Sequence, residues 1–142
     1  MKIKIIEPTT SEELKKYYNL RYDILRKPWG QPPGSERDEG EETSIHRMII
    51  DNKTGNSLAV GRLQFNSEDE AQIRYMAVAD DLQGKGLGSQ IISALEDVAQ
   101  GKGIQWIILS ARENALQFYK NNGYEIMKKT HLLFGEIQHW LM

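Results

Sequence analysis

Residues 73–99 read "IRYMAVADDLQGKGLGSQIISALEDVA", and this stretch decides the fold. An apolar run rich in Ile, Val and Tyr has the composition of a strand and ends in a loop with glycines at 84, 86 and 88. After the loop, Leu87, Ile91, Ile92, Leu95, Val98 and Ala99 recur at spacings of three and four, the inward face of an amphipathic helix. The loop therefore delivers the chain from a strand to a helix N-terminus. There the first amides lack intrahelical partners and the helix dipole is positive. Glycine lets the backbone approach a ligand and aim several N–H groups at one point, and Lys85 adds a positive charge. Gln83, Gly84, Lys85, Gly86, Leu87, Gly88 and Ser89 thus predict a cradle for a phosphate or pyrophosphate.

Two familiar phosphate loops fail on spacing. The pattern G-x-x-x-x-G-K-S/T requires lysine directly after its last glycine, whereas Ser89 follows Gly88 here. The dinucleotide pattern G-x-G-x-x-G fails as well, because these glycines read G-x-G-x-G, and the motif follows a late strand rather than the first one.

Working outward, "KIKIIE" (residues 2–7) alternates as a first strand, and Thr10 with Glu13 predicts a capping box for a helix from Ser11 to about Lys27, stopped by Pro28. Arg21 falls inside that helix's apolar stripe. Residues 27–44 form a long loop with prolines and glycines. Its second half carries five acids against one arginine, either a solvated surface or an acidic lip for a cationic substrate. Residues 45–51, 57–65 and 71–78 predict an antiparallel meander, joined by "NKTGN" and "NSEDE". Beyond the central helix come a strand at 105–110, expected parallel to the one before it, and a helix over 111–122 opened by a Ser110–Glu113 box. Two closing strands follow at 124–134 and 137–142. The expected fold is a single α/β (α+β) domain over residues 1–142, a mixed central sheet flanked by helices.

The composition narrows the function. A chain of 142 residues with 39% hydrophobic and 27% charged residues is that of a soluble globular protein. Net charge of −2 argues against nucleic acid as a partner, and the absence of cysteine excludes disulfides, thiolate metal sites and cysteine nucleophiles. No run is long enough to span a membrane and no secretory leader is visible, so a cytoplasmic protein without metal or membrane partner is expected.

At this point a resemblance carries further. "MAVADDLQGKGLGSQIISALEDVA" resembles the coenzyme-binding motif of the GNAT N-acetyltransferases, whose hallmark places Gln83, Gly86 and Gly88 as they stand here. "SARENALQFYKNNGYEI" is similar to the same family's next motif, an asparagine before a helix that carries a tyrosine and ends in "GY". The resemblance implies acetyl-CoA as co-substrate, with its pyrophosphate on residues 83–89 and its pantetheine arm along the backbone of Met76, Ala77 and Val78. It implies Asn114 beside the arm, Tyr119 as general acid for the departing thiolate, and the Val78 N–H as donor to the thioester carbonyl. The acceptor would be a primary amine on a small molecule or peptide. Homodimers fit the resemblance, though no feature of the sequence specifies one. The alternative is a non-catalytic domain that binds or senses acyl-CoA.

The acceptor side is open. His46 is a candidate base because histidine titrates near neutrality, with Glu70 and Glu113 behind it. His131 and His139 fall in the closing strands without a motif. Strand alternation places Gln72, Arg74, Met76 and Val78 on one face and Ala71, Ile73, Tyr75 and Ala77 on the other. Arg62 on the neighbouring strand shares a face with Arg74 if the register allows. The pair is either ion-paired structure or a grip for an acceptor's carboxylate or phosphate, which conflicts with the acidic lip. Tyr22 and Trp29, at the end of the first helix, are further candidates for the acceptor pocket.

Overall fold

The chain runs β1 (Ile3–Ile6), α1 (Ser11–Leu25), β2 (Ile45–Asp51), β3 (Ser57–Phe65), β4 (Glu70–Val78), α2 (Leu87–Gly101), β5 (Trp106–Arg112), α3 (Leu116–Asn121), β6 (Lys128–Leu133) and β7 (Ile137–Leu141). This is a computed structural model; it describes residues 2–133 and 137–142, apart from the side chains of His131, Leu132 and Ile137. Phe134, at the end of one expected strand, and the His131 side chain fall outside the described residues.

The strands form one sheet in the order β1-β2-β3-β4-β5-β7-β6, antiparallel except for the β4–β5 pair. The expected meander and the parallel fifth strand are both present. α2 lies on one face, where Ile91, Ile92 and Leu95 pack with Ile49, Leu63, Ile73 and Leu109. α1 covers the other through Tyr17, Tyr18 and Leu25 against Met48, Val60 and Ala77. Each such aliphatic side chain contributes roughly 1.5–3 kcal/mol on burial. Thr10 and Glu13 form the expected reciprocal cap of α1. No described helix is long and apolar enough to cross a membrane.

Register in β4 departs from simple alternation. Val60 pairs with Ala77 and Arg62 with Arg74, so Tyr75 and Met76 together oppose Gly61, and Tyr75 takes φ +57°. A bulge of this kind turns the strand over. Ala71 and Ile73 share the α2 face with Met76 and Val78, whereas Tyr75 and Ala77 pack on the α1 side with Arg74 close by. The expected division of faces therefore holds on each side of the bulge but not across it.

Gly61 leaves room for that bulge. A Cβ there would stand 2.5 Å from Ile91 Cγ2 and 2.7 Å from Met76 Sδ. Gly61→Ala is expected to destabilise the fold by about 1–3 kcal/mol in urea unfolding. Gly101→Ala, at a position with open space, should be neutral or slightly stabilising. Equal effects at the two sites would remove the packing argument.

Two further expectations are corrected. α1 ends at Leu25, and a short 3-10 turn over Lys27–Trp29 takes up Pro28. Ser110 does not cap a helix: β7 pairs with Ser110, Ala111 and Arg112 and holds them in β5, so α3 begins only at Leu116 after a 3-10 turn over Glu113–Ala115.

Candidate active site

β4 and β5 stay paired only from Glu70↔Trp106 to Ile73↔Leu109; beyond that point β5 turns to β7. The two strands part, and the backbone of residues 74–78 has no strand partner on its β5 side among the described residues. The Ala79 N–H donates to the Leu58 carbonyl, so alternation along the ladder points the Val78 N–H away from β3, into the opening.

The opening is a cleft of two lobes that meet at Leu25, Met76, Arg112, Ala115 and Tyr119. One lobe, about 550 Å³, runs along Met76, Ala77 and Val78 to the N-terminus of α2, where Gln83, Gly84, Gly86, Leu87, Gly88 and Ser89 line it. Gly84 and Gly86 have φ +80° and +84°, and nothing lies within 4 Å of where their Cβ would stand. Gly86 caps α2 without any side-chain hydrogen bond, so the first amides of the helix are left for a ligand. The Gln83 side chain donates to the Val78 carbonyl and ties the loop to the strand end. Lys85 is exposed and does not line the cleft; Leu87 lines it and is buried in the core beneath. Asn114 and Phe118 complete this lobe.

Tyr119 borders both lobes and is 9% exposed. Burial pushes its phenol up to about 12, against the opposing pull of the Arg112 charge. Its hydroxyl has no hydrogen-bond partner among the described residues. The Arg112 guanidinium donates to the Leu25 carbonyl at 3.2 Å and lies 4.6 Å from the centre of the Trp29 ring.

The second lobe, about 320 Å³, is lined by Arg26, Gln72, Arg74, Tyr75, Ser110 and His139 among others. His139 is 6% exposed and pairs across strands with Arg112. None of the described residues lining either lobe is Asp or Glu. Burial holds the Arg26 and Arg112 guanidiniums below their ordinary range, and charge repulsion from neighbouring arginines adds to it.

Six further sequence candidates lie outside the cleft lining. His46 is locked under α1: its Nε2 lies 2.7 Å from the Glu41 carbonyl, which can only accept, so the proton sits there and Nδ1 accepts from the Tyr17 hydroxyl at 2.7 Å. Burial, with Arg21 and Arg62 nearby, holds its pKa below the ordinary histidine value. Arg62 is 1% exposed and spends itself on Asp38 and Glu41, each at 2.7 Å. Tyr22 donates to the Gln31 carbonyl, and Trp29 lies against Arg112 without lining either lobe. Glu70 and Glu113 are directed elsewhere: Glu70 accepts from Trp106 and Asn66, and Glu113 is exposed.

The acidic loop is neither a lip nor simply solvated. Glu36 is buried, while Asp38 and Glu41 turn inward onto Arg21, Arg62 and Arg74; only Glu39 and Glu42 are exposed. Burial pushes the Asp38 carboxyl up, but the Arg62 hydrogen bond, the Gly40 amide and the charges of Arg62 and Arg74 outweigh it and hold it at about 2. The Tyr75 ring lies among the guanidiniums of Arg21, Arg26, Arg62 and Arg74, 4.3 to 5.6 Å from its centre, and its hydroxyl donates to Asp38. This cage holds the bulge residue in its unusual backbone conformation, which costs about 1–3 kcal/mol.

Sequence reasoning missed Arg26, Arg112 and His139 as cleft residues. His139 lies in a closing strand without a motif, and only the β5–β7 register shows that it borders the cleft beside Arg112. Among the described residues, no group of three His, Asp or Glu side chains is placed to hold a metal ion.

Residues 14–124 match the model of the acetyltransferase (GNAT) family. The chain is 27% identical over 140 residues to an uncharacterized N-acetyltransferase, YjcF, of Bacillus subtilis (strain 168), covering 99% of this chain and 98% of that protein. A putative N-acetyltransferase from Lactobacillus plantarum superposes with TM-score 0.84 at 18% identity, over 98% of this chain and 95% of that one. A GNAT family acetyltransferase from Elizabethkingia anophelis with acetyl-CoA bound gives TM-score 0.76 at 16% identity, over 98% and 95%.

Proposed function

Because this chain belongs to the GNAT acetyltransferase family, we propose that it transfers an acetyl group from acetyl-CoA to a primary amine in this cleft. The observation that carries the proposal is continuity: the bare amides of α2, the unpaired edge of β4 and Tyr119 all border one cleft. The lobe fits the co-substrate, since a pyrophosphate needs glycine amides with open space before them, and Gly84 and Gly86 have it. Acetyl-CoA supplies an activated acyl carbon and a thiolate leaving group.

This chain's residues then have distinct tasks. The α2 amides and Asn114 hold the coenzyme, and the β4 edge receives its extended arm as an added strand would be received. The Val78 N–H donates to the carbonyl oxygen that gains charge as the amine nitrogen attacks. As the C–N bond forms and the C–S bond breaks, the Tyr119 O–H faces the sulfur and supplies its proton. His139 is the histidine among the described lining residues, and it takes the proton the amine gives up.

The test is free-thiol release from acetyl-CoA over a panel of primary amines, with coenzyme binding followed by calorimetry. Turnover on at least one amine is expected; tight binding with no turnover on any would identify a sensing domain instead. His139→Gln is expected to lower kcat/KM for the amine by about 10²-fold while coenzyme binding by calorimetry stays unchanged. An unchanged kcat/KM would exclude His139 as the base.

A further inference from the structure

The lobe beyond Tyr119 brings together Arg26 just past the end of α1, Arg74 from β4 and Arg112 from β5. Arg74 and Arg112 both border this partly enclosed space, where two guanidinium forks favour an anion. Asp38 is the carboxylate that reaches Arg74, and it is shared among Arg62, Arg74 and the Tyr75 hydroxyl. Arg74 spends one of its five donors on Asp38 and keeps a side chain 39% exposed. Arg112 gives one donor to a backbone carbonyl and lays its plane near Trp29.

Resting on the transfer reaction proposed above, we infer that the acceptor is a small amine that also carries a carboxylate or phosphate, gripped between Arg74 and Arg112. A planar guanidinium fork suits either anion. The same positive field repels diamines and polyamines. It also favours the neutral form of the acceptor's own amine, which is the form that attacks. At about 320 Å³ the lobe is at the small end of ligand sites, the size for an amino acid or an aminoalkyl phosphate. The inward turn of Asp38 and Glu41 removes the conflict with the acidic loop, because those charges are already spent on arginines.

The experiment measures thiol release at saturating acetyl-CoA for matched pairs: 4-aminobutyrate against butylamine, O-phosphoethanolamine against ethanolamine, with putrescine as the cationic probe. The anionic member of at least one pair is expected to exceed its neutral partner in kcat/KM by about tenfold or more, with putrescine lowest. Which pair shows the larger ratio distinguishes carboxylate from phosphate. Arg74→Gln is expected to bring that ratio towards one through the acceptor's KM, leaving the KM for acetyl-CoA unchanged. On the wild-type protein, butyrate or inorganic phosphate should compete with the acceptor and not with acetyl-CoA, a readout that needs no variant. Equal or better turnover of butylamine, ethanolamine or putrescine overturns the inference, as does failure of both anions to compete. Absence of turnover on every amine with acetyl-CoA still bound overturns the transfer reaction itself, which is a different result.

Discussion

Tyr119→Phe is expected to lower kcat by about 10²-fold while the KM for acetyl-CoA stays within a small factor of wild type. The ring occupies the junction of the two lobes, and phenylalanine fills the same space, so packing is kept and only the hydroxyl is lost. With its pKa pushed up to about 12, the phenol is protonated at any working pH. Such a phenol is a weak acid toward a free thiolate, whose ordinary pKa is about 8.5. In the proposed reaction its O–H would therefore act first by hydrogen-bonding the charge that develops on sulfur. Arg112, which opposes the upward shift, makes the proton easier to give up. The acid form is present below the raised pKa and lost only above it, so Tyr119 should produce no fall in kcat until the pH approaches 12. Retention of more than half of wild-type kcat by the phenylalanine variant would remove Tyr119 from the chemistry.

Glu41→Ala should be the most damaging single change to stability. Its carboxylate accepts from Arg21 at 2.9 Å, Arg62 at 2.7 Å, the Asp38 amide at 3.1 Å and the Tyr18 hydroxyl at 3.2 Å. The Arg21 and Arg62 side chains are 0% and 2% exposed. Arg62 would keep Asp38, but Arg21 would be left with the Glu36 carbonyl and the Tyr17 hydroxyl. Stranding a buried cation costs about 3–5 kcal/mol, a large share of the roughly 5–15 kcal/mol that holds a domain together. Urea unfolding at neutral pH measures it, with Glu42→Ala as an exposed neighbour expected within about 0.5 kcal/mol of wild type. Adding Arg21→Met to Glu41→Ala should recover part of the loss, since the unpaired charge goes with it. Burial pushes the Glu41 carboxyl up, but Arg21 and its other partners bring it net below the ordinary value. Its contribution is therefore complete above the unfolded carboxylate pKa and lost as the pH falls below it, so wild type and variant should converge in acid. Equal unfolding midpoints for Glu41→Ala and Glu42→Ala would show that the network carries no stability.

Both predictions turn on contacts whose partners are far apart in the chain, which marks where sequence reading stopped. Element order was legible because each element announces itself locally: the Thr10–Glu13 cap, the spacing of three and four after Gly86, the turn residues between strands. The glycine loop opening α2 was legible for the same reason, since loop and helix N-terminus are contiguous. Ser110 misled because a local capping pattern lost to pairing with β7, a partner that sequence proximity does not indicate. The roles of Arg62 and the acidic loop were ambiguous because ion pairing depends on which side chains the fold brings within about 3 Å, not on charge counts.

By itself, then, the sequence determined the strand–loop–helix that leaves the first amides of α2 without a side-chain cap, and the family to which the chain belongs. Both rest on residues adjacent in the chain. The tertiary structure alone decided the bulge at Tyr75, the internal burial of Asp38 and Glu41, and the meeting of Arg26, Arg74, Arg112 and His139 around Tyr119. The physical reason is register: one extra residue in β4 exchanges the two faces of the strand, and only the paired neighbour, Gly61 on β3, specifies where that residue goes.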